Sequence, residues 1–257
     1  MTSPQSPFDI QLPDIDSIEQ GEEFFTIQVD GKTEKIRFHD YDRIYEIPGL
    51  YEYLFYERYQ CNSPEVVCGL LKDRLAAAPE TGNGGLTALD IGAGNGMVGE
   101  QLVNLGAKTV VGVDIIEEAA RAAERDRPGV YEAYHVADLT QLSPDVARSL
   151  ESIDFNCMTI VAALGFGDIP PMAFVAGYNL VGSDGWVAFN IKEDFVCKED
   201  ETGFCKLIGL LEENGMMEIQ ERRRYRHRFC QDGTPLYYHA VVGKKSQDIP
   251  LEMVEGL

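Results

Sequence analysis

Residues Ala88–Leu102 read ALDIGAGNGMVGEQL. A short apolar run ends at Ile91, glycines alternate at Gly92, Gly94 and Gly96, and an amphipathic stretch follows from Met97. This is a buried strand that turns sharply into a helix, with glycines where the backbone must bend and come close to something. The glycines admit two registers. Gly92, Gly94 and Gly96 make G-x-G-x-G, whereas Gly94, Gly96 and Gly99 make G-x-G-x-x-G, the spacing that seats a pyrophosphate. The turn holds a phosphate, holds a ligand without one, or is merely tight, and the glycines alone do not choose.

The pattern is regular on the C-terminal side. Strands are expected at LTALDIG, KTVVGVD, VYEAYHVAD, IDFNCMTIVAAL and GWVAFNIK. Between them lie helices at NGMVGEQLVNLG, IIEEAARAAERDR, SPDVARSLES and PPMAFVAGYNLVG, and TGFCKLIGLLEENG follows the fifth strand. Such alternation makes a parallel sheet covered on both faces. Two last strands, MEIQERRRYRHRF and PLYYHAVVGKK, are joined through Asp232-Gly233 and must be antiparallel. The expected fold is α/β: a seven-stranded, mainly parallel sheet with an antiparallel final hairpin, helices on both faces and an N-terminal hairpin and helix as a cap.

On the N-terminal side, residues 1–22 read as a flexible acidic leader. Residues 23–62 form the cap: the hairpin FFTIQV-DG-KTEKIRF, turning at Asp30-Gly31, then a tyrosine-rich helix from Gly49. The main domain runs over 63–246, opening on a helix with Ser63 as N-cap and Pro64 at its first position, and 247–257 is a tail.

The acids choose between the ligands. Asp90 lies two residues before Gly92, Asp114 ends the second strand eighteen residues beyond Gly96, and Asp138 follows the third strand. All three stand at the carboxyl edge of the sheet, where open α/β sheets bind ligands. A carboxylate beside a pyrophosphate is repelled; one beside an ammonium group is attracted. LDIGAGNG, VVGVD and VADL, in this order, resemble the class I S-adenosylmethionine-dependent methyltransferases over residues 64–245. The resemblance implies that Asp90 helps hold the methionine end, that Gly92, Gly94 and Gly96 lie against the cofactor, that Asp114 takes the ribose and that Asp138 reads adenine. Ala93, Ile115, Ala137, Leu139 and Tyr45 complete the expected cofactor set. An NAD-dependent oxidoreductase, resting on the shifted glycine register alone, and a non-catalytic S-adenosylmethionine-binding partner or sensor are the competing functions.

Methyl transfer asks for alignment, exclusion of water and, for many acceptors, removal of a proton. Gly167-Asp168-Ile169-Pro170-Pro171 stands where N-methyltransferases of amides and exocyclic amines carry an Asn/Asp-Pro-Pro-aromatic tetrad. The tetrad is missing, so a nucleobase or glutamine acceptor is not supported. Asp168 is either a base or acceptor clamp, or support for the helix after Pro170. His39, beside Asp40 and Asp42, is the second catalytic candidate, as a general base or as a structural residue. The stretch from Tyr41 to Tyr59 holds Tyr41, Tyr45, Tyr51, Tyr53, Tyr56 and Tyr59, which either line a pocket or margin a buried helix. The block ERRRYRHR, Glu221–Arg228, is expected to put Arg222, Arg224, Arg226 and Arg228 on one face and Arg223, Tyr225 and His227 on the other. It is an anion clamp, an interface, or an outer strand paired with the protein's own acids.

Composition bounds the rest. A net charge of -21 disfavours nucleic acid and anionic membrane as partners. No apolar run is long enough to span a bilayer, and the acidic N-terminus lacks a secretory pattern. The six cysteines form no C-x-x-C and read as reduced thiols of a cytoplasmic protein; no metal site is expected. A small-molecule acceptor is the expected partner, and a homodimer is compatible with the sequence.

Overall fold

The computed structural model describes residues 7–13, 20–78, 85–164, 168–196 and 202–254. Parts of the expected leader (1–6 and 14–19), the loop at 80–84, Gly167, Cys197 and the end of the tail (255–257) lie outside the described residues.

Seven strands form the main sheet: β4 (Leu86–Ile91), β5 (Ala107–Asp114), β6 (Ala133–Val136), β7 (Phe155–Ile160), β8 (Val181–Lys192), β9 (Met217–Phe229) and β10 (Pro235–Lys245). Their order is β6-β5-β4-β7-β8-β10-β9. The first five are mutually parallel, whereas β10 runs antiparallel to both β8 and β9. This is the expected architecture. The order reverses at β4, which places the glycine turn and the end of β7 side by side at the carboxyl edge.

Helices cover both faces. On one, α6 (Pro144–Glu151), α7 (Pro171–Leu180) and α8 (Phe204–Glu213) bury Leu150, Phe174, Tyr178 and Leu211 against Leu89, Ile91, Met158 and Phe189. On the other, α3 (Ser63–Ala77) and α4 (Met97–Asn104) bury Val67, Leu71 and Leu102 against Ala88, Cys157 and Trp186. Strand alternation fixes which face each β4 side chain meets: Leu89 and Ile91 enter the first core, Ala88 the second. α5 (Glu117–Asp126) packs beside the cap. Among the described residues no helix is long and apolar enough to cross a membrane.

The cap is a three-stranded antiparallel sheet followed by helices. β2 (Phe24–Val29) and β3 (Lys32–Arg37) form the expected hairpin, with Asp30 and Gly31 both at positive φ (51° and 77°), as a tight two-residue turn requires. β1, Ile10–Gln11, pairs with β2, so this part of the expected flexible leader is ordered strand. α1 (Tyr41–Glu46) has no side-chain N-cap and was not legible in the sequence. The next helix starts at Leu50 as one α turn, α2 (Leu50–Glu52), and continues as π-helix over Tyr53–Arg58. Phe25, Phe38, Leu50, Leu54 and Phe55 form the cap's own core.

Two expectations fail locally. Asn62, not Ser63, is the N-cap residue of α3, and the Ser63 hydroxyl turns instead to His227 and Tyr225. The face alternation of the arginine block breaks at a bulge: Arg226 pairs with Tyr237 and Arg228 with Leu236, leaving His227 as the extra residue. His227 and Arg228 are consequently both buried.

Candidate active site

Three contiguous cavities run along the carboxyl edge of the sheet. The outermost, about 260 Å³, is lined by Asp114, Ile115, Ala137, Asp138 and Leu139, and reaches Asp168. The middle one, about 130 Å³, lies between Gly92, Asp114, Ile115 and Ala162 on the sheet side and Tyr41, Tyr45 and Tyr51 on the cap. The innermost, about 40 Å³, sits under the cap between Phe38, Tyr41, Tyr51, Phe55, Tyr56 and Tyr238, with His39, Asp168, His227 and Arg228 on its wall. Asp168 lines all three.

The glycine turn builds the floor. Gly94 has φ 53°, and a Cβ there would lie 2.6 Å from the Tyr45 hydroxyl oxygen. The loop is therefore closed from above by the cap and needs glycine at this place. Gly94 N–H donates to Asp114 Oδ2 (2.9 Å) and Ile116 N–H to Oδ1 (3.0 Å), which aims this carboxylate along the cleft. Burial raises the Asp114 pKa above the usual carboxylate value. Asp138 Oδ1 accepts from the backbone N–H and hydroxyl of Thr140, which fixes its loop after β6. Ile115 is 63% exposed, an apolar side chain held at the mouth.

Of the residues expected to bind the cofactor, Gly92, Asp114, Ile115, Ala137, Asp138, Leu139 and Tyr45 line the cleft. Ala93, Gly94 and Gly96 shape the turn without lining it. Asp90 is displaced from its expected place. It lies behind the turn, with Tyr131 donating to Oδ2 (2.7 Å) and Thr159 to Oδ1 (2.7 Å). Burial pushes its carboxyl up to about 7. Gly99 explains the second glycine register: a Cβ there would lie 2.7 Å from Tyr131, so this glycine lets the tyrosine reach Asp90.

The two catalytic candidates, far apart in sequence, meet. His39 Nδ1 lies 3.7 Å from Asp168 Oδ2, with the side chains 23% and 41% exposed. Asp168 does not cap α7, whose N-cap residue is Pro170. The tyrosines divide. Tyr41, Tyr51 and Tyr56 line the innermost cavity and Tyr45 the middle one, whereas Tyr59 is buried in the cap core. The arginine block is matched by the chain's own acids: Arg222 with Glu212, Arg223 with Glu221, Arg224 with Glu193, and Arg228 with Glu23 in a buried pair.

Residues 89–189 match the family of the methyltransferase domain. The match spans 101 of 257 residues and identifies a methyltransferase domain in this chain. No curated protein sequence matches it. The N-methyltransferase NodS of Bradyrhizobium japonicum WM9, solved with S-adenosyl-L-homocysteine, superposes with a TM-score of 0.56 at 14% identity, covering 82% of this chain and 98% of its own. An S-adenosylmethionine-dependent methyltransferase of Clostridium acetobutylicum gives 0.52 at 12%, covering 77% and 97%. PH1948 of Pyrococcus horikoshii, provisionally described as an RNA methyltransferase, gives 0.51 at 14%, covering 73% and 87%. At these identities the likeness is one of fold.

The methyltransferase cleft suits this cofactor chemically. Its outer and middle cavities are lined by Asp114, Asp138 and Asp168 and, among the described residues, by no lysine or arginine. A pyrophosphate would face only carboxylates. S-adenosylmethionine instead offers them ribose hydroxyls, an amino group and a cationic sulfur.

Residues that sequence reasoning missed fall into two groups. Glu52 Oε1 accepts from Asn95 Nδ2 (2.9 Å) and from Arg127 Nη1 (2.7 Å), latching the cap to the glycine turn. Asn190, Tyr225, Ser63 and His227 form a buried hydrogen-bonded line behind the innermost cavity. Contacts of this kind between distant segments leave no local pattern.

Proposed function

We propose that this methyltransferase moves a methyl group from S-adenosylmethionine to a small-molecule acceptor seated under the tyrosine cap. The observation that carries the reading is the position of Asp168, at the point where the carboxylate-lined trough runs into the aromatic cavity. In this reading Asp138 accepts from the adenine amino group and Asp114 from the ribose hydroxyls, using lone pairs that its backbone partners leave over. Ile115, Ala137 and Leu139 cover the apolar faces, while Gly92 and Tyr45 bound the middle of the trough. Asp90 acts at one remove, holding the turn through Tyr131 and Thr159.

The bound cofactor supplies an electrophilic methyl group. The chain's part is to position, to dry and to deprotonate. Tyr41, Tyr51 and Tyr56 exclude water around the cationic sulfur and can contact it face-on. His39 takes the acceptor's proton, and the Asp168 carboxylate, 3.7 Å from its Nδ1, orients the ring. The innermost cavity is small and walled by aromatic rings, which supports a small acceptor over a nucleic acid or a folded protein. The pairing of the arginine block with glutamates supports the same choice.

Calorimetry tests the cofactor half. S-adenosylhomocysteine is expected to bind and NAD not to bind. Asp114→Ala should weaken binding by about 1.5–3 kcal/mol, the worth of a hydrogen bond to a charged group, roughly ten- to a hundredfold. Binding of NAD instead, or an unchanged affinity in the variant, overturns the assignment. The acceptor half is tested by following S-adenosylhomocysteine formation over a panel of small hydroxyl, amine and thiol compounds. Turnover of RNA or protein in place of all of them would refute it.

A further inference from the structure

The hydrogen-bonded line behind the innermost cavity has a direction, and a backbone group sets it. Ala162, just after β7, donates its N–H to Asn190 Oδ1 at 2.6 Å. A backbone N–H can only donate, so Oδ1 is the accepting end of this amide and Nδ2 the donating end. Nδ2 lies 2.6 Å from the Tyr225 hydroxyl. That oxygen receives the amide hydrogen and passes its own hydrogen to Ser63 Oγ, 2.7 Å away. The Ser63 hydroxyl then donates to His227 Nδ1 at 2.6 Å. Reversing the Tyr225–Ser63 step strands the Tyr225 hydrogen in the interior without an acceptor, and reversing the Ser63–His227 step leaves the Ser63 hydrogen only the Cys61 sulfur, a much weaker acceptor than an imidazole nitrogen. Asn190 and Ser63 are both 0% exposed, so water does not relieve that cost.

The consequence lies at the histidine. Its Nδ1 accepts, so its hydrogen is on Nε2. The Cys61 sulfur, 3.7 Å from the same Nδ1, is kept as a thiol by burial; as a weak donor and a weak acceptor it competes poorly with the Ser63 hydroxyl for this nitrogen. Burial and the neighbouring Arg228 and Arg226 guanidinium groups hold the ring neutral, well below its ordinary pKa. Tyr238 stacks on the ring at 4.1 Å and fixes its plane. The ring lines the innermost cavity, and in this tautomer its Nε2 carries a hydrogen rather than a lone pair.

We propose that His227 is the residue that recognises the acceptor, its Nε2–H donating to an oxygen of a planar ring compound held between the aromatic walls. This rests on the methyl-transfer reading and deepens it. His39 and Asp168 deal with the proton of the atom that is methylated. His227 selects, on the same molecule, a second group that can only accept: a carbonyl or an ether oxygen, or a phenolate. A ring carrying no such group loses this contact and leaves the buried donor unpaired, which is a strong basis for discrimination.

Two measurements on the full-length protein test the proposal. Long-range proton–nitrogen NMR on the ¹⁵N-histidine-labelled chain reads the tautomer directly, and with 4 histidines the signals are assignable through His227→Phe and Ser63→Ala. The expected spectrum has a protonated Nε2 and an unprotonated Nδ1 between pH 6 and 8. A protonated Nδ1, or an imidazolium, overturns the proposal, and the wild type decides this even if His227→Phe does not fold. Fluorine NMR titration with S-adenosylhomocysteine present then compares 4-fluoroacetophenone with fluorobenzene. The ketone should bind at least tenfold more tightly to the wild type, and His227→Phe should abolish the difference while leaving fluorobenzene unchanged. Equal binding, no binding of either probe, or a preference kept in the variant overturns it. Loss of S-adenosylhomocysteine binding would instead refute the cofactor reading, so the two failures are distinguishable.

Discussion

Asp90 and Asp114 are the same residue at the ends of adjacent strands, and their surroundings give them different tasks. Asp114 is aimed along the cleft by two backbone N–H groups, whereas Asp90 is sealed between Tyr131 and Thr159. Burial lifts the Asp90 pKa from 3.8 to about 7. A carboxyl with a raised folded-state pKa binds more protons folded than unfolded. Its favourable share of stability is complete below pH 3.8 and is lost as pH rises through about 7. The wild type should therefore lose melting temperature between pH 5 and 8.5. Asp90→Asn should lose less, its advantage at pH 8.5 on the order of a few kcal/mol. Calorimetric scans across this range that give parallel curves would show that Asp90 ionises alike in both states. The spacing of acids and glycines was enough to read Asp114 and Asp138 at the cleft. It was not enough for Asp90, because a strand alternates its side chains between two faces: Leu89 and Ile91 meet one core, and Asp90 points to the other side, where Tyr131 waits.

Short elements of the cap do what the sequence pattern alone did not reveal. The hairpin was legible because Asp30-Gly31 is a local signal that needs no partner. α1 has only six residues and no capping side chain, and the π-helical turn closes through unusually wide local bonds such as Cys61 N–H to Phe55 O (2.8 Å), six residues apart. Both are made by packing against the rest of the protein, so local propensity carries no trace of them. Together they set Tyr45 on the glycine turn and Tyr51 in contact with it, ring centroids 4.7 Å apart. The Glu52 carboxylate, bonded to Asn95 and Arg127, and Arg125 Nη1, bonded to the Tyr45 carbonyl (3.0 Å), hold the cap down. Glu52→Ala should cost only about 1 kcal/mol of global stability, since Glu52 is partly exposed. It should nevertheless speed hydrogen exchange across residues 41–58 and weaken S-adenosylhomocysteine severalfold. In the wild type the same ligand should slow exchange over His39–Tyr59 and leave Glu221–Val242 almost unchanged. Exchange mass spectrometry that finds the two segments responding equally would refute the latch.

Across the whole molecule, the cap and the sheet are tied at the end of β9. Glu23 and Arg228, distant in sequence, form an ion pair that is almost wholly buried. Glu23 Oε1 also accepts from the Gln231 N–H at 2.7 Å, and the Arg228 guanidinium lies over the Phe38 ring at 5.4 Å. Backbone bonds run beside it, from Asn62 N–H to His227 O (3.1 Å) and from Phe229 N–H to Tyr59 O (2.9 Å). Removing one partner of a buried pair leaves a charge without compensation, so Glu23→Ala should cost about 3–5 kcal/mol in urea unfolding. Glu23→Ala combined with Arg228→Met should recover most of that. A double variant no more stable than the single one would show that the pair matters through shape and not charge. The alternating strand and helix pattern gave the sheet and its final hairpin from sequence, since each element carries its own periodicity. The pairing of residue 23 with residue 228 is a property of the assembled molecule and has no counterpart in any local window.

The bulge at His227 divides β9 into two lengths with different obligations. From Met217 to Arg226 the strand stays paired along β10 (a further bulge at Gln220 aside), and changes there disturb the sheet. Beyond the bulge, His227 and Arg228 both turn inward, one to the cavity wall and one to the cap. Only Arg228 and Phe229 pair with β10 beyond it, so a side-chain change at this end alters what the cavity wall presents while the ladder from Met217 to Arg226 stays in place. On the proposed role of His227, the choice of acceptor is written at the tip of one edge strand, and the architecture is written elsewhere.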